Sequence, residues 1–258
     1  MLILLPPSEG KSAPTRGKPL DLSALSFPAL TPARERVLDR LVTLCRGEPE
    51  RAREVLGLGP KQADEVPRNA ALGDAPTARA DAIYTGVLYD ALGAATLSPA
   101  ARRRASRWLA VTSSLCGLLR PSDRIPAYRL SGDVQLPGLG GVAAHWRSVM
   151  DPVVDEAVGD GLVVDLRSTT YAAFWRPDRE MAHRVATVRV LQQVGSQRKV
   201  VSHFNKATKG RLVRAMLESG EHPRTPAELA DHVLGLGWKV EVAEARGATR
   251  LDVVVEDL

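Results

Sequence analysis

The chain has 258 residues, of which 44% are hydrophobic and 25% charged. This is an ordinary globular balance, with length for one large domain or two small ones. Aromatic residues make up only 4%, so the core must rest on Leu, Val and Ala. The formal net charge of +5 suits a polyanionic partner, although an Arg-rich and Ala-rich composition produces the same value without one. Cys45 and Cys116 are too few for a disulfide framework or a Cys-rich zinc site, and their apolar surroundings predict buried thiols. The opening MLILLPPSEGK has too short an apolar stretch and no basic region for a signal peptide. No apolar run approaches the ~20 residues of a membrane span. The expectation is a cytoplasmic protein.

In chain order, Met1–Leu5 reads as a buried strand stopped by Pro6 and Pro7. Pro6–Pro19 is a loop. Thr31-Pro32 opens a helix that runs to about Arg46. Glu48–Leu56 and Pro60–Glu65 follow as short helices. Ala82–Val87 reads as a strand. Ser98-Pro99 starts a helix to Trp108, and Leu109–Thr112 is a strand. Ala127–Leu130 is a further candidate strand, and Val142–Ala157 is a helix. Leu162–Leu166 is a strand of the kind buried on both faces. The valine-rich Val185–Val201 suggests a hairpin with its tip at Gln197-Arg198. Lys206–Leu217 is helical, and Thr225-Pro226 caps a helix ending at Gly235. Lys239–Ala245 and Leu251–Val255 form a closing hairpin around Arg246-Gly247. The mixture predicts a single α/β or α+β domain over residues 1–258 with a central mixed sheet and no linker.

Five clusters could carry chemistry. Ser8 to Lys11 follows the first strand and could cradle an anion, although it lacks the Walker A spacing. The stretch from Thr112 to Asp123 starts with hydroxyls, Ser113 and Ser114 among them, and ends in Arg-Pro-x-Asp. Arg120 there could fork onto a phosphate, or Arg120 and Asp123 could simply pair in a turn. Tyr128 and Arg129 lie just beyond. Asp165 to Tyr171 is again a strand end, with Ser168 as a helix cap. The basic run holding Lys206, Lys209, Gly210 and Arg211 reads as a helix start, where cations are tolerated best beside a bound anion. Lys206 and Lys209 share a face, and Gly210 permits a close approach. Finally, Gly57, Gly59 and Lys61 form a Gly-Leu-Gly turn between helices, like the hairpin of helix-hairpin-helix DNA binders; a plain helix connection reads the same way.

The chemistry is narrowed by what the motifs lack. His145, His183, His203, His222 and His232 show no HExxH or other paired metal-ligand spacing. There is no G-x-S-x-G elbow and no GxGxxG after a strand. No resident cofactor or metal is expected.

The blocks LILLPPSEGK, IYTGVLYDAL, CGLLRPSDRIPAYRL, LVVDLRSTTY and VVSHFNKATKGRLVRAM resemble, in the same order, those of the YaaA family. The resemblance spans nearly the whole chain. It implies a cytoplasmic peroxide-stress protein that limits free iron and the DNA damage iron causes. It also implies a compact mixed α/β fold whose positively charged cleft binds duplex or distorted DNA, aided by a helix-hairpin-helix-like element. The matching positions are Lys11, Tyr84, Thr85, Gly86, Arg120, Asp123, Tyr128, Arg129, Ser168, Lys206, Lys209 and Gly210. The sequence departs from the family pattern in a longer loop before Lys11 and in Ala127, where the family shows proline.

Two readings of the polar loops remain open. They could line a cleft that binds DNA through phosphates, or form a pocket in which an enzyme acts on a nucleobase, nucleotide or related metabolite. A structural role without a ligand is the third possibility.

Overall fold

A computed structural model describes residues 1–194, 197–199, 202–245 and 248–256. Its longer elements are, in chain order, β1 (Leu2–Leu5), α1 (Thr31–Arg46), α2 (Pro49–Leu56), α3 (Val87–Leu92), α4 (Pro99–Trp108), β2 (Leu109–Ser113), β3 (Gly117–Leu119), α5 (Val142–Val158), β4 (Val163–Asp165), β5 (Val185–Val194), β6 (Gln197–Lys199), α6 (Ser202–Ser219), α7 (Pro226–Gly235), β7 (Lys239–Ala245) and β8 (Ala248–Glu256).

The strands form one mixed sheet in the order β7-β8-β5-β4-β1-β2-β3, with β6 folded back on β5. Five strands in the middle are mutually parallel: β8, β5, β4, β1 and β2. Antiparallel β7 and β3 close the two edges. The fold is therefore α/β. Every residue of β1 is buried, as the unbroken run LILL requires of a strand covered on both faces.

Helices cover the sheet through apolar stripes. In α5, Val142, Trp146, Met150, Val153 and Val154 are buried, a spacing of one helix face. In α1 the stripe Ala33, Val37, Leu41 and Cys45 includes a fully buried Arg34. Its guanidinium donates to the carbonyls of Ser26, Cys116 and Leu118, so it fastens the edge strand β3 to α1. Cys45 and Cys116 are both buried thiols, and burial pushes the Cys116 thiol up to about 12.

The sequence reading is corrected in several places. Ala82–Val87 is not a strand: Ala80–Ile83 is a helical turn, and α3 begins at Val87. Between them Tyr84 pairs with Lys11 in an isolated bridge, and Gly86 takes φ +98° to start the helix. Ala127–Leu130 joins no sheet; Asn69 satisfies the backbone of Arg129 on both sides. Gln197 and Arg198 belong to the returning strand β6 rather than to a hairpin tip. The tip of the closing hairpin, Arg246-Gly247, lies outside the described residues. The helix of the basic run starts at Ser202, not Lys206, so Lys206, Lys209 and Arg211 lie beyond its first turn and the helix-dipole argument does not apply to them.

Gly210 is explained by packing. A Cβ placed there would lie 2.2 Å from the Leu88 carbonyl oxygen, because α6 crosses α3 at this point. Gly210→Ala should cost about 1–3 kcal/mol through overpacking, seen as a lower urea midpoint. An unchanged midpoint would show that α3 yields freely.

Candidate functional site

The parallel order β2-β1-β4 brings three strand ends to one edge. Register pairs Leu5 with Val111 and Leu4 with Asp165. The Pro6–Lys11 loop, Ser113-Ser114 and the Leu166–Tyr171 segment therefore leave the sheet side by side. Ligands collect at such carboxyl edges because adjacent loops diverge and leave a crevice.

All four tyrosines of the chain gather around this edge. Tyr84 stacks on Tyr89 with ring centroids 5.4 Å apart. Its hydroxyl lies 3.0 Å from that of Tyr128, which lies 2.8 Å from Ser113 Oγ. The Cys116 amide donates to Ser113 Oγ. These hydroxyls form a buried chain, and two of their three protons are used within it. Burial raises the Tyr84 and Tyr89 hydroxyls well above their ordinary values and Tyr128 to about 12. At neutral pH they are donors, not bases. Lys11 Nζ sits 4.3 Å from the Tyr128 ring centre and donates to the Ser8 carbonyl (2.7 Å). Desolvation lowers its ammonium to about 8, with Glu9 acting in the opposite direction. Glu9 is itself bound by Arg129 (2.8 Å).

A cavity of about 320 Å³ opens between the Pro6–Gly10 loop and α3, bounded by Ser8, Thr85, Tyr89, Ser168, Tyr171 and Lys206. A second, of about 450 Å³, adjoins it and shares Pro6, Leu88, Ser168 and Lys206. The second is strongly cationic. Arg167, Arg189, Lys206, Lys209 and Arg250 line it, and none of its lining residues is a carboxylate. Arg167 is neutralised by Asp165 through a two-pronged contact of 2.9 and 2.7 Å. Arg189 and Arg250 share the single carboxylate of Asp252 behind the wall. Among the described residues, five cations thus face two carboxylates, an excess of three. Asn205, also on this wall, has its buried Oδ1 without a hydrogen-bond partner among the described residues.

The predicted site residues divide. Ser8, Thr85, Gly86, Ser168, Tyr171 and Lys206 line the joined cavities. Lys11, Tyr84, Ser113, Ser114, Tyr128 and Arg129 form the polar layer at the same edge. Lys209 lies on the cleft wall but is buried, donating to the Leu166 carbonyl (2.9 Å). It is not part of a solvated face. Arg211 is exposed and borders neither cavity.

Arg120 is at the opposite edge of the sheet. Its guanidinium donates to the carbonyls of Arg107 and Leu109, at the amino end of β2, so it shares no ligand with Lys11 or Ser168. Asp123 caps this turn through the Arg120 amide and Ser26. Gly57 ends α2 in a left-handed conformation. The amides of Gly57, Leu58 and Gly59 are held by Glu54, Arg53 and the Gln62 side chain. Lys61 is exposed beside them, but this turn as folded offers those amides to no phosphate.

Sequence reasoning missed Arg189, Arg250 and Tyr89. The arginines carried a signal: Arg189 stands between valines in TVRV, and Arg250 shares the valine-rich TRLDVVV with Asp252. Among the described residues, no group of three or more His, Cys, Asp or Glu is placed to hold a metal, and no helix is long and apolar enough to cross a membrane.

Burial holds Lys209 near 8, with Asp165 partly offsetting the loss of water. In the unfolded chain a lysine keeps its proton to about pH 10.4. Between these values the unfolded chain binds more protons, so stability gains from rising pH; Lys11 contributes in the same sense. Unfolding midpoints measured from pH 7.5 to 9.5 should therefore show a pH-linked gain that is smaller in Lys209→Met. Identical slopes for the two proteins would contradict a charged, desolvated Lys209.

The family model described as "Peroxide stress protein YaaA" matches residues 1–241. A UPF0246 protein of Streptomyces coelicolor is 56% identical over 261 aligned positions, covering 100% of both chains. A UPF0246 protein of Corynebacterium efficiens is 44% identical, covering 98% of this chain and 100% of its own. One from Corynebacterium glutamicum is 42% identical, covering 93% and 95%. The Lys11 loop, the tyrosine layer and the cationic cleft are thus features of a chain that belongs to the YaaA peroxide stress protein family.

Proposed function

We propose that this member of the peroxide-stress family binds DNA through backbone phosphates in the cleft beyond β4, and so helps limit iron-dependent oxidative damage to it. The observation that carries this reading is the excess of cations on a wall without carboxylates. Such an arrangement is self-repelling unless an anion joins it, and phosphates supply charge at regular spacing. Arg189 and Arg250 have guanidinium N–H groups beyond those that Asp252 takes up, and Lys206 adds an exposed point charge. The donors serve the backbone and offer no side-chain pattern for reading base edges, so sequence preference should be small. A cleft wall without carboxylates is a poor iron site; its effect on iron damage would run through the bound DNA.

The smaller cavity supports a second reading. Tyr89 and Tyr171, with Ser8 and Thr85, make a partly apolar, hydroxyl-edged space next to the cations. A nucleotide with its base there and its phosphate by Lys206 would suit an enzyme acting on a nucleobase or nucleotide.

Fluorescence anisotropy with random-sequence duplexes distinguishes the two. Duplex affinity should fall with salt at a log–log slope of about −0.9 per phosphate contacted. Lys206→Ala should weaken binding while changing stability by less than about 0.5 kcal/mol, since Lys206 is exposed. Affinity should also fall as pH rises past 8, where Lys209 loses its proton. Salt-independent binding, or tight binding of free nucleotides with none of duplex, would favour the enzyme reading.

A further inference from the structure

The far end of α6 builds a second polar constellation away from the cleft. The helix ends at Ser219, and Gly220 reverses the chain at φ +79°. α7 then returns with His232 buried on its inner side. His232 Nδ1 lies 3.0 Å from Glu221 Oε2, and its Nε2 lies 3.0 Å from Ser219 Oγ.

Donor and acceptor roles follow from these contacts. An ionised carboxylate only accepts, so Nδ1 must carry the ring proton. In the neutral imidazole Nε2 is then an acceptor within 3.0 Å of Ser219 Oγ. This is the tautomer that a serine nucleophile requires of its base. Ser219 Oγ also lies 3.0 Å from the Met216 carbonyl, which competes for the same hydroxyl proton. Ser219 and Glu221 are exposed. The three residues border a cavity of about 550 Å³, whose wall includes Glu228 and Asp231 and no Lys or Arg.

We propose that Ser219, His232 and Glu221 form a hydrolytic site for esters that carry a cationic group. Ser219 Oγ attacks the ester carbonyl carbon as its proton passes to His232 Nε2. The carbon–oxygen bond to the alcohol breaks, and the leaving oxygen takes that proton. Water then attacks the acyl-serine, giving one proton to His232; release of the acid returns this proton to Ser219. Glu221 holds the tautomer and offsets the imidazolium charge. Specificity for cations follows from Glu221, Glu228 and Asp231. That same negative field opposes an oxyanion, so turnover should be slow.

The test uses the full-length protein and a serine-directed fluorophosphonate, with adducts located by peptide mass spectrometry. The wild type should acquire one adduct, on Ser219, and Ser219→Ala none. His232→Gln should react about 100-fold more slowly, the scale of a lost general base. Glu221→Gln, altered only at an exposed side chain, should slow labelling about tenfold or more by releasing the tautomer. An arginine p-nitrophenyl ester should be hydrolysed faster than p-nitrophenyl acetate. Absence of an adduct on folded wild-type protein would overturn the proposal, as would labelling of Glu221→Gln and His232→Gln at the wild-type rate. Duplex binding should be the same in Ser219→Ala as in the wild type, which keeps this outcome separate from that of the cleft.

Discussion

The cleft depends on one buried ion pair. Asp165 ends β4, and Arg167, two residues on, folds its guanidinium back onto that carboxylate while also donating to the carbonyls of Tyr171 and Trp175. Burial alone would raise the Asp165 carboxyl. The Arg167 charge and hydrogen bonds, with Lys209 beyond, outweigh burial and hold it below the usual carboxylate range. Breaking one partner of such a pair typically costs about 3–5 kcal/mol, because the other charge is left buried. Here the loss would also release the Leu166–Trp175 segment, which supplies Ser168 and Tyr171 to the cavities and the carbonyl that holds Lys209.

From that anchor the electrostatics follow in layers. The Asp165–Arg167 pair is internally neutral and fixes geometry. Lys209 is desolvated beside it, which places its proton loss near pH 8 rather than in the ordinary lysine range. Outward, Arg189 and Arg250 are aligned by one shared carboxylate, Asp252, so their forks are pre-organised yet only half compensated. Lys206 is the exposed member. In the proposed reading the two arginines are held in place before an anion arrives, so less side-chain ordering opposes binding.

Much of this was legible in the sequence, and for definite reasons. LILL announced a buried strand because nothing polar interrupts it, LVVDL did so with Asp165 as its one charged residue, and the loops after them carried the hydroxyls and cations now found at one edge. The basic run was visible, but its roles were not. Lys206 and Lys209 look equivalent three residues apart, yet one reaches solvent and the other turns inward to Leu166. Gly210 reads as ligand access and is instead a helix crossing. Arg120 follows a strand-end motif, but β3 turns back and carries it to the other edge, a reversal that local patterning does not encode. Arg189 and Arg250 are 61 positions apart and meet only because β5 pairs with β8, which sets Arg250 opposite Thr187 and Asp252 opposite Arg189. Pairing between distant strands is the part of the fold that a single sequence states least directly.

The central claim is that phosphate binds on the wall beyond β4 and not at the Gly57–Lys61 turn. A crystal structure with a short DNA duplex tests it most directly. The account predicts backbone phosphates in contact with Lys206 and with Arg189 or Arg250, the Asp165–Arg167 pair intact behind them. Phosphates seated only on the Gly57–Lys61 turn, with the cleft wall untouched, would contradict it.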